Sequence, residues 1–156
     1  MKSTNLTKGI LIGLAAGVAA TAAKTIWEHY FPVRDEDTPP PPEILADEVS
    51  LKVTGEKVSK KNKGLITEAI HWAFGTLSGV LTTLISDRTK LASTAFGIPA
   101  GGAFWAATHG SIVPALGLEK PISDIKPEYA RNEFLGHLVY GAVINLVQKG
   151  LVKAFK

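Results

Sequence analysis

Cysteine is absent from this chain of 156 residues. That excludes a disulfide framework, a thiolate metal site and a thiol nucleophile, and it leaves the redox compartment open. A charge surplus is nearly absent too: 17 Lys and Arg stand against 14 Asp and Glu, for a formal net charge of +3. That is too little to argue for nucleic acid, and no basic stripe with interleaved aromatic residues appears. The chain also lacks a serine nucleophile motif, a phosphate loop and a dinucleotide fingerprint. The expectation is a protein that is not an enzyme, has no cofactor and binds no nucleic acid.

What is present is unevenly spread. The hydrophobic fraction of 46% and charged fraction of 20% would alone suit a soluble protein. The charges, however, gather into a few short stretches and nearly vanish between them. A bilayer core about 30 Å thick needs roughly 20 mostly apolar residues per spanning helix. Four segments meet or approach that length: about 9–31, 65–85, 91–116 and 134–152. All four are rich in Gly, Ala, Ser and Thr, as expected where helices approach closely in lipid. None shows the charged stripe at 3.6-residue period that a soluble bundle helix carries. The pattern predicts an all-α fold: a single integral membrane domain, a four-helix transmembrane bundle with a long proline-rich first loop.

The first segment also reads as a secretory signal, with Lys2 and Lys8 ahead of it and Ala20-Thr21-Ala22 as a small-residue site. Gly9, Gly13 and Gly17 favour a retained helix, because glycines every four residues form one smooth packing ridge. Packing within the bundle is the expected use of that ridge. Trp27, Tyr30 and Phe31 then stand where an interfacial aromatic belt belongs. The first loop, 32–64, holds the run Pro39 to Pro42, expected to be extended and stiff. Residues 43–53 read either as a short amphipathic surface helix, with Ile44, Leu45 and Val49 as its apolar side, or as solvated loop. The short link from Ser86 to Lys90 predicts that helices two and three are antiparallel neighbours. Four spans put both termini on one side. Lys and Arg in the N-terminal tail, second loop and C-terminal end favour cytoplasmic termini.

Ionisable residues inside membrane helices are functional candidates by default. Here they are Lys24, Glu28, Glu68, His71, His109 and His137. The predicted topology puts all six in the same half of the membrane, in the outer two or three turns of their helices. Lys24 and Glu28 are four apart and Glu68 and His71 three apart, so each pair shares a helix face. Such a cluster could relay protons, hold a small ligand, or hold an anionic lipid head group beside Lys24 and Arg34. A metal site is not adopted, because no HxxxH or HExxH spacing fixes two ligands on one helix. The structural alternative is that these residues snorkel or pair to lock the bundle.

Particular runs then resemble a known family. They are Ala16-Gly17-Val18 with Lys24, Glu28, Pro32 and Arg34, and the proline run with Leu45-Ala46-Asp47. His71-Trp72-Ala73-Phe74-Gly75 follows, then His109 with Val113-Pro114-Ala115-Leu116-Gly117-Leu118, and Gly136-His137-Leu138-Val139-Tyr140-Gly141. In order and spacing the chain resembles the YagU-like bacterial inner-membrane proteins, a family of unknown function. That resemblance implies a multi-pass protein of the bacterial cytoplasmic membrane and a link to acid resistance in the envelope. Family members often carry an acidic pair where this chain has Thr108-His109, so a shared carboxylate site does not carry over. The lipid bilayer is the expected partner, with a membrane protein partner or a second copy left open. The alternative function is a structural or accessory subunit of a membrane complex, with no ligand chemistry of its own.

Overall fold

The computed structural model describes residues 5–31, 34, 38–86 and 97–154. Among them the regular structure is all helical. In chain order it comprises α1 (Leu6–Tyr30), α2 (Pro41–Thr54), α3 (Lys60–Ser86) and α4 (Ile98–Ala107). A π-helical turn (Thr108–Ile112), α5 (Val113–Ala115), a 3-10 turn (Ile122–Asp124) and α6 (Pro127–Ala154) follow. Two helices, α1 and α6, are long and apolar enough to cross a membrane.

Local chemistry explains the boundaries. The Asn5 side chain accepts from the Thr7 amide at 3.1 Å and caps α1. Pro41 and Pro42 do not extend the stiff run expected of them. They form the first turn of α2, where a missing N–H is harmless and proline's φ suits a helix. Gly55 ends α2 with φ at 80°. The fourth helix begins at Pro127, seven residues before the expected 134, because its first turns are too polar for hydropathy to register. The third helix, expected over 91–116, runs from Ile98 and is broken by the π turn. Residues 91–96 and the short link at 87–90 lie outside the described residues.

Close backbone contact sets which helices pair. Added Cβ atoms at Gly13 and Gly17 would fall 2.6 Å from Val80 Cα and 2.5 Å from Thr76 O. One at Gly79 would strike the Gly17 backbone. The ridge thus packs α1 antiparallel against α3, inside the chain; Gly9 is buried on the same helix. A second seam joins α4 to α6, where a Cβ on Gly101 would meet the His137 carbonyl and one on Gly141 would lie 2.6 Å from the Gly101 amide. The main contacts therefore put α1 between α3 and α6, with α4 on the far side of α6. Helices two and three are expected as antiparallel neighbours, and the link between them and the start of the third lie outside the described residues. The two helices face each other through Phe74 and Phe104, whose ring centroids are 6.1 Å apart.

Burial runs opposite to a soluble bundle. The apolar core is small: Ala16, Ala20, Tyr140 and Ile144. Leu11, Leu14, Val18, Leu77, Leu81 and Leu146 are exposed, while Lys24, Glu133, His137 and Asn145 are buried. Exposed large apolar groups and buried polar ones are the informative departures from the usual pattern. Trp27, expected in an aromatic belt, is partly drawn inward, and its Nε1–H donates to the Asn132 carbonyl at 3.0 Å.

The first loop does contain a helix, α2, docked on the start of α3. Lys63 of α3 reaches Asp47 at 2.9 Å and Glu43 at 3.3 Å. The inner side of α2 is Pro41 and Ala46, whereas Val49, expected on the apolar side, is exposed. The hydrogen bond from Lys63 holds the Asp47 carboxyl below its ordinary value of 3.8. A depressed carboxyl stabilises docking above that ordinary value and ceases to do so as pH falls through the lowered one. Asp47 carboxyl NMR shifts should therefore stay constant from neutrality down to about pH 4 and change only below it. Lys63→Ala should move that change to higher pH. On the glycine seam, Gly79→Ala should destabilise the protein by about 1–3 kcal/mol through overpacking. Gly64→Ala, which points into open space, should be neutral or slightly stabilising. Thermal unfolding in mild detergent reads both.

Candidate functional site

The polar cluster is built where α1, α6 and the end of the third helix converge. Glu133 and His137 lie four apart on α6 and so share a face. Lys24 comes from the last turns of α1. His109 is delivered by the π turn, a device often found at functional positions. Pro114 lacks the N–H that would continue regular α-helical bonding, and the Val113 amide bonds back to Thr108 O, five residues away. The Thr108 hydroxyl donates to Phe104 O at 2.8 Å and the Ser111 hydroxyl to Ala107 O at 2.7 Å, holding the widened turn.

Glu133 is the hub. Its side chain is 2% exposed. Lys24 Nζ donates to Glu133 Oε1 at 2.9 Å and also to Glu28. His109 Nε2 lies 3.2 Å from the same Oε1. Glu133 Oε2 is buried with no hydrogen-bond partner among the described residues. His109 Nδ1 meets Glu119 Oε2 at 2.7 Å, and Arg34 donates to Glu119 Oε1 at 3.2 Å and to the Tyr129 hydroxyl at 3.0 Å. His137 Nδ1 is 2.9 Å from the Glu133 carbonyl, which can only accept, so that nitrogen carries the hydrogen. The Tyr140 hydroxyl donates to Gly75 O at 2.5 Å and ties α6 to α3.

These groups border a cavity of about 240 Å³. All six residues singled out from the sequence, Lys24, Glu28, Glu68, His71, His109 and His137, line it. They are not equally joined. Lys24, Glu28 and His109 belong to the ion-pair chain, and His137 stands beside it. His71 reaches Thr25 Oγ1 at 3.4 Å, on the α3 wall. Glu68 lines the same wall. Pro40, Pro41, Pro42 and Leu45 close the rim from the α2 side.

Glu133, Glu119 and Tyr129 were not among the sequence candidates. Starting the fourth helix at residue 134 left Glu133 in a loop. A start at Pro127 makes Glu133 and His137 a one-helix pair, the spacing sought only among histidines. Glu119 and Tyr129 had no local signal, since their partners are distant in sequence.

Removing the hub should be severe. Glu133→Ala leaves Lys24 buried with one partner fewer and should lower stability by about 3–5 kcal/mol. Lys24→Met combined with Glu133→Leu should lose clearly less than the sum of the single changes, which a double-mutant cycle on thermal unfolding would measure.

No curated protein and no solved structure matches the chain. A family model described as a protein of unknown function (DUF1440) matches residues 18–146. That span covers most of the α1-to-α6 fold and every residue of the cluster, and the chain belongs to this DUF1440 family of unknown function.

Proposed function

We propose that the chain is a four-span bundle of the bacterial cytoplasmic membrane, similar to YagU-like proteins, whose one-sided cavity binds a small cation. Supporting the membrane reading, Leu11, Leu14, Val18, Leu77 and Leu81 of α1 and α3 face outward while Thr21, Lys24, Ser78 and Thr83 are buried. In this topology α3 is the second span and the helix through α4 and α5 the third, with α2 lying on the surface. The termini are cytoplasmic and the cavity opens toward the two longer loops. The role is binding rather than turnover, in keeping with an envelope or acid-stress function.

One observation carries the choice of ligand. Three carboxylates, Glu28, Glu68 and Glu133, line the cavity against two fixed cations, Lys24 and Arg34. With neutral imidazoles the lining holds one excess negative charge, and beside the buried Glu133 an uncompensated charge is costly. A cation relieves that excess and an anionic head group adds to it. The accessory-subunit reading draws on the same ion pairs, which also tie α1 to α6.

The two readings separate on purified protein in mild detergent. Thermal unfolding is followed with zinc, magnesium or guanidinium chloride, and with sodium phosphate or phosphatidylglycerol. At about 100 times Kd, a bound cation should add about 2.7 kcal/mol, or roughly 5–10 °C in Tm. Glu133→Gln should remove that rise. Stabilisation by phosphate or phosphatidylglycerol alone would overturn the cation reading. If no cation acts and cluster variants only reduce protein abundance, the accessory role stands instead.

A further inference from the structure

We infer that His109, Glu133 and His137 form a site for a divalent first-row metal of the zinc type. The inference deepens the cation reading and rests on it. One ligand atom from each of the three residues lies within 4.8 Å of the others. In a tetrahedral zinc site with bonds of about 2.0–2.1 Å, ligand atoms sit about 3.4 Å apart. His109 Nε2 and Glu133 Oε1 already stand at 3.2 Å. The remaining separations need to close by at most about 1.4 Å, within reach of side-chain rotation.

The hydrogen bonds behind the histidines point the same way. Metal-bound histidines characteristically give their other ring N–H to a carboxylate or a carbonyl. His109 Nδ1 meets Glu119 at 2.7 Å, and His137 Nδ1 meets the Glu133 carbonyl at 2.9 Å. With Nδ1 as donor in both rings, each Nε2 carries the lone pair. A lone pair at His109 Nε2 facing the Glu133 carboxylate at 3.2 Å is repulsive unless a positive centre lies between them. A proton is one such centre and a metal ion the other.

Glu133 supplies the independent observation. It lines the cavity, is 2% exposed, and its Oε2 is buried with no partner among the described residues. Oε1, beside His109 Nε2, is the oxygen the geometry offers to a metal, and Oε2 leaves the carboxylate with coordinating capacity that the described residues do not use. The cavity, about 240 Å³, leaves room for water as the remaining ligand. Two imidazoles with one carboxylate favour zinc, cobalt or ferrous iron over magnesium or calcium.

Cobalt(II) provides the test, because its ligand-field absorption reports coordination directly. The full-length protein in detergent should bind one Co²⁺ with a visible band that Zn²⁺ abolishes by competition. His109→Ala or His137→Ala should weaken binding more than about 100-fold, and Glu119→Gln about 10–100-fold. Should those variants fail to fold, His137→Cys keeps a ligand in place. In a chain with no other cysteine it should add a near-ultraviolet thiolate-to-cobalt band. A missing cobalt band in folded protein, or unchanged affinity in both histidine variants, sinks the metal site. If guanidinium still raises Tm in that case, the cation cavity survives without the metal. If no cation acts at all, both readings fall.

Discussion

Glu133 is the group on which the polar half of the molecule depends. A carboxylate with 2% exposure persists only when paired and hydrogen-bonded. Here Lys24 arrives from α1 and His109 from the π turn, and both meet Oε1. The carboxylate thereby ties three chain segments to one point. Partial satisfaction matters as much: Oε2 has no partner among the described residues, and a half-satisfied buried network is a high-stakes arrangement.

That convergence requires the helices to be close, and the glycines provide it. Gly17 against Gly79 lets α1 approach α3, and Gly101 against Gly141 lets α4 approach α6. A Cβ at these seams would meet backbone, so the spacing has little slack. Backbones held this near let a side chain on the π turn reach α6 without spanning a gap. The seams and the polar cluster are two parts of one packing solution. Small residues set the distance between helices, and long polar residues fill the space beside them.

The site then follows from charge. Carboxylates outnumber fixed cations around the cavity, and both His109 and His137 have Nδ1 engaged by an oxygen acceptor. On the proposed cation reading, the acid-rich lining and the two imidazoles are what a bound cation would meet. The rim belongs to a different kind of structure. Helix α2 is held by the Lys63 pairs with Glu43 and Asp47, which are more exposed and so weaker than the buried cluster.

The sequence by itself determined the helical composition, the glycine ridge on α1 and the side of the molecule on which the titratable residues collect. Each is a one-dimensional property: apolar length, four-residue spacing, and position within a segment. The six cluster candidates all line one cavity, on walls contributed by different helices. The sequence did not determine which helices pair, because that turns on backbone approach at glycines from two different segments. Nor did it single out Glu133, whose partner Lys24 is 109 residues away and whose helix opens in a polar stretch. Glu119 gained its role only when the π turn brought His109 within 2.7 Å. Pairing of buried charges depends on distance in space, and only the tertiary structure supplies that distance.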